Sequence, residues 1–118
     1  MLTFICYPKC TTCQKAQKWL EEQGVAYTLR NIKEDNPSYE ELKAWYSTSQ
    51  KPLKKFFNTS GLLYKSLDLK TKLPTMSEDE MLALLASDGM LVKRPLLILD
   101  GRVLVGFKEP EWQSELIK

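Results

Sequence analysis

An apolar, β-prone run from Leu2 to Tyr7 is stopped by Pro8 and gives way to a helical period that ends at Gly24. From Thr12 onward Cys13, Ala16 and Leu20 recur at three- to four-residue spacing, with Trp19 on the shoulder. One helix is therefore expected over about Thr12 to Gln23, with Gly24 as its C-terminal stop. Val25 to Ile32 alternates enough to be a second strand. A strand, a crossover helix and a second strand make a parallel βαβ unit, which places the first third of the chain in the α/β class.

The rest of the chain switches period again. Ser38 with Glu41 forms a capping box ahead of Leu42, Trp45 and Tyr46, predicting a helix from Ser38 to about Ser47. Between Pro52 and Leu69 the pattern is broken: a short helix around Leu53, Phe56 and Phe57, a turn at Asn58-Thr59-Ser60-Gly61, and a helical turn from Tyr64 to Leu67. Ser77 with Glu80 is a second capping box, starting a helix through Met81, Leu82, Leu84 and Leu85 that ends near Gly89. Leu96 to Leu99 and Val103 to Val105 flank Asp100-Gly101, a strong hairpin signal. A final helix over Pro110 to Ile117 would pack Trp112 and Leu116 on the sheet. The order β-α-β, helices, β-β-α is that of a thioredoxin-like fold. It predicts a mixed four-stranded sheet in a single domain over residues 1–118, with a helical insertion at about residues 36–90. A chain of 118 residues, 43% of them apolar, supports one ordinary core.

Composition narrows the function classes. No stretch reaches the roughly 20 apolar residues that span a bilayer, and Met1 to Tyr7 lacks the basic leader and cleavage site of a secretion signal. A cytoplasmic protein with no membrane role is expected. Seventeen basic residues interleave with fifteen acidic ones for a net charge of +2, so nothing compels direct nucleic-acid binding. In a reducing compartment three cysteines do not make a structural disulfide framework. No glycine-rich phosphate loop is present, and no bound cofactor is implied.

The chemistry lies in Cys10-Thr11-Thr12-Cys13, at the turn between the first strand and the first helix. A thiolate is the reactive form of cysteine, and unsatisfied N–H groups at a helix N-terminus favour an anion. Cys10 gains from both, with Lys9 and Lys15 nearby. Cys13 shares a face with Ala16 and Leu20 and should be more buried. Cys10 is therefore read as the attacking thiol and Cys13 as the resolving one. The chain has no histidine and no second cysteine pair, which argues against a closed zinc site. Cys6-x3-Cys10-x2-Cys13 mimics an iron–sulfur spacing, but Cys6 falls inside the strand, where it should not converge with a loop cluster, and is read as core. Trp19, Trp45, Phe56, Phe57 and Trp112 lie at amphipathic spacing and are read as core, and the basic run Lys51 to Lys55 as a solvated face.

Four segments in order, Tyr7 to Ala16, Arg30-Asn31-Ile32, Asn58-Thr59-Ser60-Gly61 and Lys93-Arg94-Pro95-Leu96-Leu97, resemble the ArsC/Spx family. That family comprises glutaredoxin-type arsenate reductases, the redox-sensing regulator Spx, and reductase-like proteins of unassigned substrate. The resemblance implies a cis Pro95 against the cysteines, and Arg94 facing the helix N-terminus to hold an oxyanion or stabilise the Cys10 thiolate. It also implies glutathione or thioredoxin as electron donor. The chain fits best as a thiol-disulfide oxidoreductase or thiol-dependent reductase. Arsenate reductases of this type use one cysteine followed by a serine, with three arginines. Here Cys13 takes the serine position, Ser60 lies in the turn, and Arg94 alone of the arginines is kept, so arsenate reduction ranks lower. The alternative is an Spx-like regulator docking on RNA polymerase, at the C-terminal domain of its α-subunit. Tyr46 to Pro52, the matching region, contains no glycine, which argues against that docking.

Overall fold

The computed structural model describes residues 2–117. Strand β1 (Thr3–Cys6) leads through α1 (Thr11–Glu22) to β2 (Thr28–Asn31). Four helices follow, α2 (Tyr39–Ser49), α3 (Leu62–Ser66), α4 (Leu69–Lys72) and α5 (Glu78–Ser87), with single 3-10 turns at Leu53–Phe56, Leu73–Thr75 and Gly89–Leu91. Strands β3 (Leu96–Leu99) and β4 (Arg102–Val105) form the hairpin, and α6 (Glu109–Leu116) closes the described chain. The sheet runs β2-β1-β3-β4. β1 is parallel to β2, with Thr3 opposite Thr28, and antiparallel to β3, with Thr3 opposite Ile98. This is the mixed thioredoxin-like sheet that the sequence predicts.

Side chains alternate across a strand, so β1 serves two cores at once. Phe4 and Cys6 join Leu97, Leu104, Cys13, Ala16, Leu20 and Trp112 on the side covered by α1 and α6. Ile5 points the other way and joins Leu96, Val103 and Val105 against the helical insertion. Each large side chain fully buried here, such as Phe4, Ile5 or Leu20, contributes about 1.5–3 kcal/mol of transfer free energy. Trp112 is fully buried, its indole N–H donates to Gly106 O at 3.1 Å, and its ring meets Phe107 edge-on at 4.8 Å.

Both capping boxes are formed. Ser38 Oγ accepts from Glu41 N at 3.1 Å while Ser38 N donates back to Glu41 Oε1 at 3.0 Å, and Ser77 and Glu80 repeat the pattern. β2 is shorter than the expected Val25 to Ile32, because Val25 N–H donates to Leu20 O and completes the end of α1 instead of entering the sheet. The basic run divides: Lys54 and Lys55 are exposed, whereas Lys51 is half-buried and pairs with Glu111 at 3.3 Å.

Arg30 ties β2 to α2. Its guanidinium donates to both Glu41 oxygens, at 2.7 and 2.9 Å, and its Nε donates to Asp35 O at 2.9 Å. It also lies 5.8 Å over the Trp45 ring. Chiefly through this Arg30 pairing, the Glu41 carboxyl is held down to about 2, from an ordinary 4.5. A carboxylate whose native pKa is lowered contributes stability above its unfolded value and loses it as pH falls through the native one. Arg30→Met is therefore expected to cost about 1–2 kcal/mol at pH 7, allowing for solvent screening. The same variant should flatten the loss of stability between pH 4.5 and 2. Urea unfolding at pH 7 and pH 3 checks both; equal acid sensitivity in the two proteins would refute the assignment.

Candidate active site

Pro8 ends β1, the chain turns through Lys9, and the Cys10 N–H donates back to Tyr7 O at 2.9 Å. Cys10 is the N-cap of α1, with φ −84° and ψ 122° and no side-chain capping bond, so its sulfur is free for chemistry. It is half-buried. Thr11 and Thr12 form the exposed first turn. Cys13 is 1% exposed and accepts from the Tyr7 backbone N–H at 3.3 Å. The spacing thus gives one accessible and one buried sulfur, as the helical period implies. All three cysteines are free thiols.

Cys6 is buried at 4% exposure, the core position its sequence reading gives it, and it packs in the same cluster as Cys13. The Cys13 thiol is pushed well above the ordinary range, first by hydrogen bonding with the Cys6 thiol and then by burial, against smaller opposing contributions from Tyr7 N–H and Cys10. The parity of β1 explains this packing, since Cys6 shares the face of Phe4, which α1 covers. The signal was there in the strand alternation, but only once α1 is known to lie on that face.

The Arg94–Pro95 bond is cis and Pro95 is buried. Pro95 O accepts from Gly106 N at 2.8 Å, joining this segment to the end of β4. Arg94 reaches the helix start indirectly. Its guanidinium lies 5.3 Å over the Tyr7 ring and lines a cavity of about 460 Å³ with Asn58, Ser60, Gly61, Leu62 and Met90. Its Nε and Nη1 are buried with no hydrogen-bond partner among the described residues. The Asn58–Gly61 turn and the Arg94 segment come together because Asn58 N donates to Leu91 O at 2.8 Å and Lys93 N to Phe56 O at 2.7 Å. Tyr7 is the common neighbour, its backbone serving the two cysteines and its ring the arginine. Among the described residues no three His, Cys, Asp or Glu are grouped to hold a metal ion, and no helix is long and apolar enough to cross a membrane.

The mixed β2-β1-β3-β4 sheet, with a cysteine pair at the start of the first helix, is that of a thioredoxin-like protein. Residues 6–114 match the ArsC family, and the chain belongs to that family. The uncharacterized protein YusI of Bacillus subtilis is 60% identical over 113 residues, covering 96% of each chain. The global transcriptional regulator Spx of Enterococcus faecalis is 32% identical over 94% of this chain and 83% of its own. Among solved structures, an ArsC family related protein from Bacteroides fragilis superposes with a TM-score of 0.94 at 58% identity, covering 96% of this chain and 95% of that one. The arsenate reductase from Vibrio cholerae gives 0.83 at 28% identity, covering 98% and 97%.

Proposed function

We propose that this protein is a cytoplasmic thiol-disulfide oxidoreductase or thiol-dependent reductase that works by Cys10 attack and Cys13 resolution. The observation that carries the reading is the difference between the two sulfurs: Cys10 half-buried at the N-cap of α1, Cys13 buried and held by the Tyr7 N–H. Cys10, as thiolate, attacks the sulfur of a disulfide substrate, and the substrate's other sulfur leaves as a thiolate. Cys13 then gives up its proton and attacks Cys10 Sγ, so that the second substrate sulfur leaves and a Cys10–Cys13 disulfide forms. Two electrons pass from the pair to the substrate, and a thiol donor such as glutathione or a thioredoxin-type dithiol restores them. The unpartnered donors of Arg94 supply charge for an anionic group on the substrate or donor.

Mild peroxide followed by tryptic mapping tests this. Cys10 and Cys13 lie in one peptide, residues 10–15, between Lys9 and Lys15. The expected product is that peptide with an internal disulfide; recovery of two free thiols would overturn the mechanism. A second reading, a redox-gated regulator contacting the C-terminal domain of the polymerase α-subunit, is favoured by the relative named Spx. Redox-dependent capture of that domain would support it. Arsenate reduction ranks third, since Arg94 is the sole arginine at the cavity.

A further inference from the structure

The mechanism above leaves Cys6 unused, although it is a buried thiol in the same cluster as the resolving cysteine. Tyr7 N, which donates to Cys13 Sγ at 3.3 Å, is bonded to the Cys6 carbonyl carbon and so lies about 2.4 Å from Cys6 Cα. Cys13 Sγ is therefore within about 6 Å of Cys6 Cα, with both side chains in the same buried cluster. Cys13 shares one buried cluster with Cys6, and Cys10 packs against that cluster. Cys10 is half-buried, whereas Cys13 and Cys6 are both buried, at 1% and 4% exposure.

We propose that Cys6 is a third member of the redox centre, exchanging with Cys13 so that a disulfide formed at Cys10–Cys13 passes inward to Cys6–Cys13. The inference deepens the dithiol reading and rests on it for the origin of that first disulfide. Cys6, deprotonated, attacks Cys13 Sγ. The Cys6–Cys13 bond forms as the Cys10–Cys13 bond breaks, and Cys10 leaves as a thiolate that takes up the proton Cys6 released. The number of disulfides is unchanged, and no oxidant or reductant is consumed. The relay returns Cys10 to its free form while the oxidising equivalents rest in a bond between residues 4% and 1% exposed. Such a bond is shielded from bulky reductants and reopens when Cys10 attacks Cys13 in reverse.

The test uses the full chain with Cys10→Ser, in which Cys6 and Cys13 are the remaining thiols. Diamide is expected to remove both titratable thiols, reversibly by dithiothreitol. Because trypsin cleaves after Lys9, the link would appear as the peptide of residues 1–9 joined to that of residues 10–15, distinct from the internal disulfide of a Cys10–Cys13 bond. Cys6→Ala in the same background should keep its one thiol. If Cys10→Ser retains both thiols under conditions that fully oxidise the wild type to one disulfide, the relay is refuted. If the wild type instead forms no Cys10–Cys13 disulfide at any time during oxidation while Cys10→Ser still forms the inner link, the proposed catalytic cycle fails and Cys6–Cys13 stands as a redox pair.

Discussion

Thiol-dependent turnover is expected to fall by at least about 10³-fold in Cys10→Ser, because a serine hydroxyl at neutral pH cannot replace a thiolate as attacking group or leaving group. The same variant separates chemistry from folding. Cys10 is an N-cap without a side-chain cap bond, and serine is among the best N-cap residues, so its unfolding midpoint should hold or rise while activity disappears. Cys13→Ser should behave differently. The attack still occurs but cannot be resolved, so a mixed disulfide between Cys10 and the substrate thiol should accumulate and be visible in intact-mass spectra. Equal activity of Cys10→Ser and wild type in a thiol-coupled assay would remove Cys10 from the mechanism. A Cys13→Ser protein that turns over normally without trapping its adduct would leave resolution to an external thiol.

Gly89→Ala is expected to cost at least about 3 kcal/mol of stability. A Cβ built at Gly89 falls 1.8 Å from Ile32 O and 2.8 Å from Ile32 C, with Asn36 Cβ at 3.0 Å. The obstructing atoms are backbone, so no rotamer change relieves the contact. Ile32 cannot retreat freely either, since its N–H donates to Cys6 O at 2.9 Å at the end of the β1–β2 pairing. Gly24→Ala provides the scale: Gly24 has φ +69° and open space around it, so that variant bears only the left-handed backbone penalty of about 1–2 kcal/mol. Urea midpoints of the two variants decide the matter; a Gly89→Ala cost no greater than that of Gly24→Ala would refute the packing argument.

The parts of the fold that were legible in the sequence are those specified by neighbouring residues. The two capping boxes fix the starts of α2 and α5, Asp100-Gly101 fixes the hairpin, and the Cys13, Ala16, Leu20 spacing fixes the buried face of α1. The parts that were not legible depend on contacts far along the chain. Gly89 reads as a helix stop, but its lack of a side chain matters because the Ile32 carbonyl passes beside it. The segment from Leu53 to Thr75 breaks into short turns, including α4, whose N-cap Asp68 is left-handed at φ +52°; its shape follows the core it covers rather than a period of its own. Within the site, both cysteines and the Arg94–Pro95 element were legible. Arg94's seat on the Tyr7 ring and the inward reach of Cys6 were not, since each needs the facing of one element against another.

The pairing of β1 with β3 also has a bearing on how the chain is made. Ile5 lies opposite Leu96, and Thr3 opposite Ile98, so the sheet joins segments near the two ends of the sequence. Closing so large a loop is entropically costly, and contacts this distant in sequence slow folding. During synthesis at about 5–20 residues per second, the first strand waits several seconds for its antiparallel neighbour to leave the ribosome. Throughout that interval the thiols of Cys6 and Cys13 lack the walls supplied by Leu97, Leu104 and Trp112. The inner sulfurs are thus open to the surrounding thiol pool during translation and closed off from it once the last strand docks.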